Sequence, residues 1–229
     1  MKQALKQIPL AIGPAPEFTF ANFLPGSNNA LLAHLAQLAP GSAPVFIWGP
    51  PGSGKTHCLR ALAEDWQVGG RQVAWYDAAT SLPWELPSQP SLLLLDDSHA
   101  FDPLQQHAAF ALFVEAATLG IAVVASGSAP PTDLALREDL RTRLGWGPTF
   151  ALQPLSEAET RAALRREADR RGIFLSDEVI DYLLNRFARD LKSLMFLLDR
   201  LDEFSLAAKR SVTIPLLRQM LEENDADSK

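Results

Sequence analysis

The sequence predicts an α/β fold: a five-stranded, mostly parallel sheet carrying a phosphate-binding loop, followed by a small all-helical domain. Three observations predict it. Short apolar runs alternate with helical periodicity over the first two thirds of the chain, the pattern of crossover units in a parallel sheet. The segment Gly49-Pro50-Pro51-Gly52-Ser53-Gly54-Lys55-Thr56 fits Gly-x-x-x-x-Gly-Lys-[Ser/Thr] with no mismatch. After Pro154 only helical periodicity and helix-start signals remain.

The elements follow in order. Residues 1–16 hold three prolines and little periodicity, so an extended, mobile tail is expected. Ser27 to Leu38 places Leu31, Leu32, Leu35 and Leu38 on one helical face. Val45 to Trp48 is a first buried strand, and Leu59, Leu62, Ala63 and Trp66 mark the helix after the phosphate loop. Gln72 to Tyr76 is a second strand. Ser81 to Pro90 contains three prolines and cannot hold a helix. A third strand begins at Ser91 and runs through Leu92 to Leu95 into Asp96 and Asp97. Asp102 caps a helix to about Leu119, with Pro103 in its first turn. Ile121 to Ala125 and Thr149 to Leu152 complete the five strands. Ser156 with Glu159 forms a capping box, Gly172 ends that helix, and Ser176 and Asp190 start the next two. Thr213 with Pro215 starts the last one, and the polar stretch from Glu222 to Lys229 is expected to fray. The expected division is a tail over 1–16, a nucleotide-binding domain over 17–154 and a helical domain over 155–229.

Composition narrows the functional classes. A length of 229 residues suits one α/β domain and a small second one, at about 100–200 residues per domain. The net charge of −6 argues against duplex DNA as the main partner, so no direct sequence-specific DNA binding is expected. The single cysteine, Cys58, permits no intrachain disulfide and reads as a small buried hydrophobe. No stretch reads as a secretion signal or a membrane span, so a cytoplasmic protein with no membrane partner is expected.

The chemistry sits in four places. Residues Gly49, Pro50, Pro51, Gly52, Ser53, Gly54, Lys55, Thr56 and His57 are the candidate nucleotide site. The glycines let the backbone approach a phosphate, and the N–H groups of the loop and of the first helical turn point at the anion. Lys55 would reach the β- and γ-phosphates, and the Thr56 hydroxyl would ligate Mg²⁺. Asp96, at the carboxyl end of an apolar strand, is the second candidate metal ligand, and Asp97 is the candidate for orienting or deprotonating a water. Arg143, in Arg141-Thr142-Arg143-Leu144-Gly145-Trp146-Gly147, either stabilises charge on a phosphoryl group or is a solvated helix end. Gln7, Ile8, Leu10 and Ile12 either fill a partner's pockets or fold back onto their own domain.

These segments, with Phe18 to Gly26, Leu152 to Ser156 and Val212 to Pro215, resemble the DnaA-related AAA+ family of ATPases over nearly the whole chain. Within it they are most similar to the branch of regulatory inactivators. The resemblance implies an AAA+ domain holding ADP or ATP with Mg²⁺, followed by a helical lid. It implies that Gln7, Ile8, Leu10 and Ile12 bind the sliding clamp, the polymerase III β subunit, and that Arg143 is an arginine finger offered to DnaA. Homo-oligomers are compatible with it. Two positions depart from the family pattern. Ser128 stands where a polar sensor, usually an acid, is expected, and Lys192 where a lid arginine reaches the nucleotide; both imply weak hydrolysis by the chain itself. A chain that ends just after the lid, lacks helices in the 81–90 segment and is acidic fits an inhibitor of replication initiation better than an initiator. The alternatives are a self-contained AAA+ ATPase such as a helicase loader, and an inert nucleotide-binding module.

Overall fold

The computed structural model describes residues 18–187 and 191–227. The chain forms two compact units, one spanning Phe18–Leu155 and the other beginning at Ser156. In the first, the elements run α1 (Asn29–Ala36), β1 (Val45–Trp48), α2 (Lys55–Val68), β2 (Gln72–Tyr76), β3 (Pro90–Leu95), α3 (Pro103–Leu119), β4 (Ala122–Gly127), α4 (Glu138–Leu144) and β5 (Thr149–Ala151). The sheet has five strands in the order β2-β3-β4-β1-β5, and every pairing is parallel. Trp48 pairs with Gly127 on one side and Ala151 on the other, so the loop after β1 emerges between β4 and β5 at the sheet's carboxyl edge.

The four-leucine run serves both faces of the sheet, because side chains alternate along a strand. Leu92 and Leu94 join Ile47, Leu59, Leu62 and Trp66 under α1 and α2. Leu93 and Leu95 join Phe46, Phe113, Leu140 and Leu144 under α3 and α4. All four leucines are fully buried, and each contributes about 1.5–3 kcal/mol. That makes β3 a rigid central stem for the two aspartates that follow it. The second unit comprises α5 (Glu157–Arg170), α6 (Asp177–Arg186), α7 (Leu191–Ala208) and α8 (Ile214–Asp227). It closes on its own core of Leu164, Ile180, Leu183, Leu194, Leu198, Leu201 and Leu217.

The helix starts follow their caps. Asp102 accepts from the Leu104 and Gln105 amides, and the Asp102 N–H donates to the Gln105 side-chain oxygen. Ser156 and Glu159 form the second capping box, and Ser176 caps α6. Between β2 and β3 there is no helix. Instead Trp84 is buried, stacked on Tyr76 at 5.0 Å and edge-on to Phe101.

Four expectations differ in detail. The Arg141 region belongs to a helix of its own, α4, whose start at Arg137 carries no side-chain cap to announce it. β4 runs to Gly127, two residues past Ala125, which brings Ser126 into the sheet. The last helix continues to Asp227 instead of fraying from Glu222. α1 begins at Asn29, because Asn28 turns inward and bonds both backbone groups of Gln153. The N-cap expected at Asp190 and the tail over 1–16 lie outside the described residues. No helix among the described residues is long and apolar enough to cross a membrane.

The packing makes two positions testable. A Cβ on Gly147 would lie 1.9 Å from the Pro44 carbonyl oxygen. Gly147→Ala must move backbone and is expected to cost about 1–3 kcal/mol, read as a lowered melting temperature; an unchanged one would contradict the packing. In the helical unit, Arg170 and Arg171 bond the Glu167 carboxylate and hold its pKa down to about 2, against the desolvation that opposes them. This stabilisation is complete above the ordinary glutamate value of 4.5 and is lost as pH falls towards 2. Glu167→Gln is expected to flatten the acid side of the stability profile in that window.

Candidate functional site

The loop after β1 is fixed by close approaches that only glycine permits. The Gly49 N–H donates to Gly127 O at 3.2 Å, and the Leu152 N–H to Trp48 O at 2.7 Å, tying the loop root to β4 and β5. A Cβ on Gly49 would meet Leu152 O at 2.6 Å. Gly54, at φ +103°, turns the chain into α2, and a Cβ there would touch Phe23 at 3.0 Å. Lys55 is buried, and its Nζ donates to Gly49 O at 3.1 Å and Pro50 O at 3.3 Å. The same Nζ stands 3.7 Å from Asp97 Oδ1, an ion pair too long to be a hydrogen bond. Burying an ammonium is costly unless it is bonded and paired, and here it is both.

The acidic edge is a connected network. Asp96 Oδ2 accepts from Thr56 Oγ1 at 2.8 Å, which joins β3 to α2. Asp96 Oδ1 accepts from Ser126 Oγ at 2.6 Å and from the Asp97 N–H at 3.1 Å. The Asp97 N–H is shared with Ser126 Oγ at 2.7 Å, and Ser98 Oγ donates to Ser126 O at 2.6 Å. Asp97 itself is left-handed, at φ 47° and ψ 45°, an uncommon backbone for a residue with a side chain. Ser126 opens the Ser126-Gly127-Ser128 segment in which a polar sensor is expected, but its bond to Asp96 and the role of Ser98 are not readable from the sequence. The available signal is a serine interrupting the apolar run of β4, beside the strand that carries Asp96.

The residues present fit a nucleotide with its metal. Ser53 Oγ, on the loop, is buried without a hydrogen-bond partner, and so is Asp97 Oδ1, which has only the longer ion pair to Lys55. The Thr56 hydroxyl and Asp96 carboxylate are adjacent hard oxygen donors of the kind Mg²⁺ takes together with phosphate oxygens. His57 lies beside them on α2, its Nε2 3.1 Å from Thr19 O and its ring edge-on to Phe18 and Phe23. Burial holds its pKa below the ordinary histidine value, against the opposing bond to Thr19. Cys58, one residue on, is fully buried, and desolvation pushes its thiol up to about 12. It is a packing residue.

The remaining candidates fall elsewhere. Ser128 is exposed, one residue past the end of β4. Lys192 is on α7, and its side chain lies outside what is described, as do Gln7, Ile8, Leu10 and Ile12. Arg143 is in the last turn of α4, its guanidinium 3.8 Å from the centre of the Trp146 ring. It lines an open cleft with Phe110, Arg137, Glu138, Asp139, Thr142 and Trp146, to which the phosphate loop contributes nothing.

Comparison with known proteins narrows the family. Residues 157–221 match the family described as "Hda, lid domain", and residues 15–74 match the bacterial DnaA ATPase domain. The chain belongs to the Hda/DnaA-related AAA+ proteins. It is 33% identical to an uncharacterized protein of Haemophilus influenzae, over 94% of this chain and 98% of that one. Domain III of Thermotoga maritima DnaA superposes with a TM-score of 0.74 at 20% identity, covering 91% of this chain and 97% of that one. AMPPCP-bound DnaA of Aquifex aeolicus gives 0.65 at 22%, over 81% and 65% of the two chains. The Thermotoga maritima RuvB branch-migration motor gives 0.65 at 16%, over 90% and 72%. These structural likenesses establish the AAA+ fold with its five-stranded parallel sheet and helical lid.

The network makes Ser126 testable. Ser126→Ala removes a donor from Asp96 and an acceptor from the Asp97 amide, which keep each other as partners, so each lost bond is worth about 0.5–1.5 kcal/mol, more for the one to the carboxylate. The expected result is a nucleotide affinity that responds more weakly to Mg²⁺, read by titration with a fluorescent ATP analogue at two Mg²⁺ concentrations. Lys55→Ala is expected to weaken binding at both.

Proposed function

We propose that this chain is a cytoplasmic negative regulator of replication initiation. It holds ADP or ATP with Mg²⁺ on Gly49–Thr56 and His57, docks on the sliding clamp through Gln7, Ile8, Leu10 and Ile12, and stimulates hydrolysis of ATP bound to DnaA. The observation that carries the reading is the match of its helical unit to the Hda lid, joined to an ATPase domain of the DnaA type. The binding of AMPPCP by the Aquifex aeolicus relative supports an adenine nucleotide here.

The geometry suggests how the work is divided. Lys55 holds its ammonium at the loop, where a γ-phosphate would compete with the Gly49 and Pro50 carbonyls. Thr56 and Asp96 would hold Mg²⁺, which supplies charge neutralisation on the phosphates. Arg143 stands apart in its own cleft, so it is read as acting on a neighbouring molecule's nucleotide. There its guanidinium would stabilise charge developing on the transferring phosphoryl group. Ser128 in place of an acid supports weak turnover by the chain alone.

A second reading, a self-contained ATPase, draws support from the closeness of Lys55 and Asp97. Asp97→Asn separates the two. It abolishes clamp-independent turnover if the chain is its own ATPase, and leaves DnaA stimulation largely intact on the proposed reading. The proposed reading itself is tested with ATP-bound DnaA and DNA-loaded clamp. Arg143→Ala is expected to return hydrolysis to the rate of DnaA alone. Removal of residues 1–12 is expected to abolish the response to clamp while nucleotide binding persists. Wild-type stimulation by Arg143→Ala would overturn the mechanism.

A further inference from the structure

Arg143 is held in place without being neutralised. Its guanidinium carbon lies 3.8 Å from the Trp146 ring centre, the shortest cation–ring distance among the described residues. It makes no ion pair among those residues, although Glu138 and Asp139 line the same cleft. Arg137, in that cleft too, behaves in the opposite way: Asp139 grips it through two N–H groups, at 3.2 and 2.8 Å. The difference bears on availability. A carboxylate occupies the in-plane N–H edges of a guanidinium, whereas an aromatic ring takes only its face and leaves the donors open.

Trp146 is itself firmly placed. Its backbone N–H donates to Arg143 O at 3.2 Å, closing the end of α4. The next residue, Gly147, has no room for a Cβ against Pro44 O, and Pro148 O accepts from the Phe46 N–H at 3.0 Å, pinning the segment to β1. Yet Trp146 is 56% exposed, so burial does not explain so large a side chain at this position.

We propose that Trp146 is a positioning residue for Arg143: its ring orients the guanidinium while leaving every N–H free for anionic phosphate oxygens. The proposal rests on the reading that Arg143 acts on a neighbour's nucleotide. It names the second residue on which that action depends. The stack costs the arginine no charge, and it spares the partner the ordering of a long, flexible side chain during assembly.

The test is single-turnover hydrolysis of ATP on DnaA with DNA-loaded clamp and the full chain, as wild type, Trp146→Leu, Trp146→Phe and Arg143→Ala. Rates are measured over a range of regulator concentrations. Trp146→Leu keeps bulk and loses the ring. It is expected to lower the maximal stimulated rate about two- to thirtyfold, the factor for a stack worth about 0.5–2 kcal/mol. The half-saturating concentration should stay near the wild-type value. Trp146→Phe is expected to recover most of the loss. If Arg143→Ala abolishes stimulation but Trp146→Leu is fully active, the positioning role is wrong while the mechanism stands. The role is equally wrong if Phe does no better than Leu, or if only the half-saturating concentration moves. If Arg143→Ala is itself fully active, the underlying reading fails first.

Discussion

One carboxylate holds the carboxyl edge of the sheet together. Asp96 binds the Thr56 hydroxyl with one oxygen and the Ser126 hydroxyl and Asp97 amide with the other. It therefore joins α2, β3, β4 and the turn after β3 through a single buried group. A buried anion is tolerable only when hydrogen bonds satisfy it, and removing any donor leaves the rest in a worse state. The glycine loop beside it answers to a steric constraint instead. Gly49 must pass so close to Leu152 O that any Cβ is excluded, because β1 emerges between β4 and β5 with no slack. Lys55 rests its ammonium on the loop carbonyls and beside Asp97.

A comparable economy governs the segment Arg143-Leu144-Gly145-Trp146-Gly147. Leu144 is sunk in the core, Gly145 ends the helix, and Gly147 packs on the Pro44 backbone. These three fix the backbone. Arg143 and Trp146 are left to face outward against each other. Three structural residues are interleaved with two outward-facing ones, so a short segment both anchors α4 to the sheet and presents a cation. In the proposed function that cation is the group offered to the nucleotide of DnaA, while the phosphate loop sets the conformation of its own domain.

Much of this is legible in the chain. The strand-loop-helix order around Gly49–Thr56 and the leucine run into Asp96 place the site at the sheet edge from sequence alone, because each depends on local periodicity and residue type. The capping residues Asp102, Ser156 and Ser176 are readable for the same reason. What is not legible depends on contacts distant in sequence. Ser126 acquires its role from Asp96, thirty residues earlier in the chain. α4 begins at Arg137 without a side-chain cap, so its start is not marked locally, although Arg141 and Arg143 are legible as a helix end. α1 starts at Asn29 because Asn28 bonds Gln153, 125 residues later.

On the proposed reading, hydrolysis occurs in the partner's site, and a nucleotide on Gly49–Thr56 acts only as a conformational anchor. The most direct measurement loads this chain with a non-hydrolysable ATP analogue and removes the excess. It then follows the decay of labelled ATP already bound to DnaA after mixing with DNA-loaded clamp. The account predicts decay as fast as with ATP-loaded chain. Stimulation that vanishes when this chain's own nucleotide cannot be cleaved would contradict it.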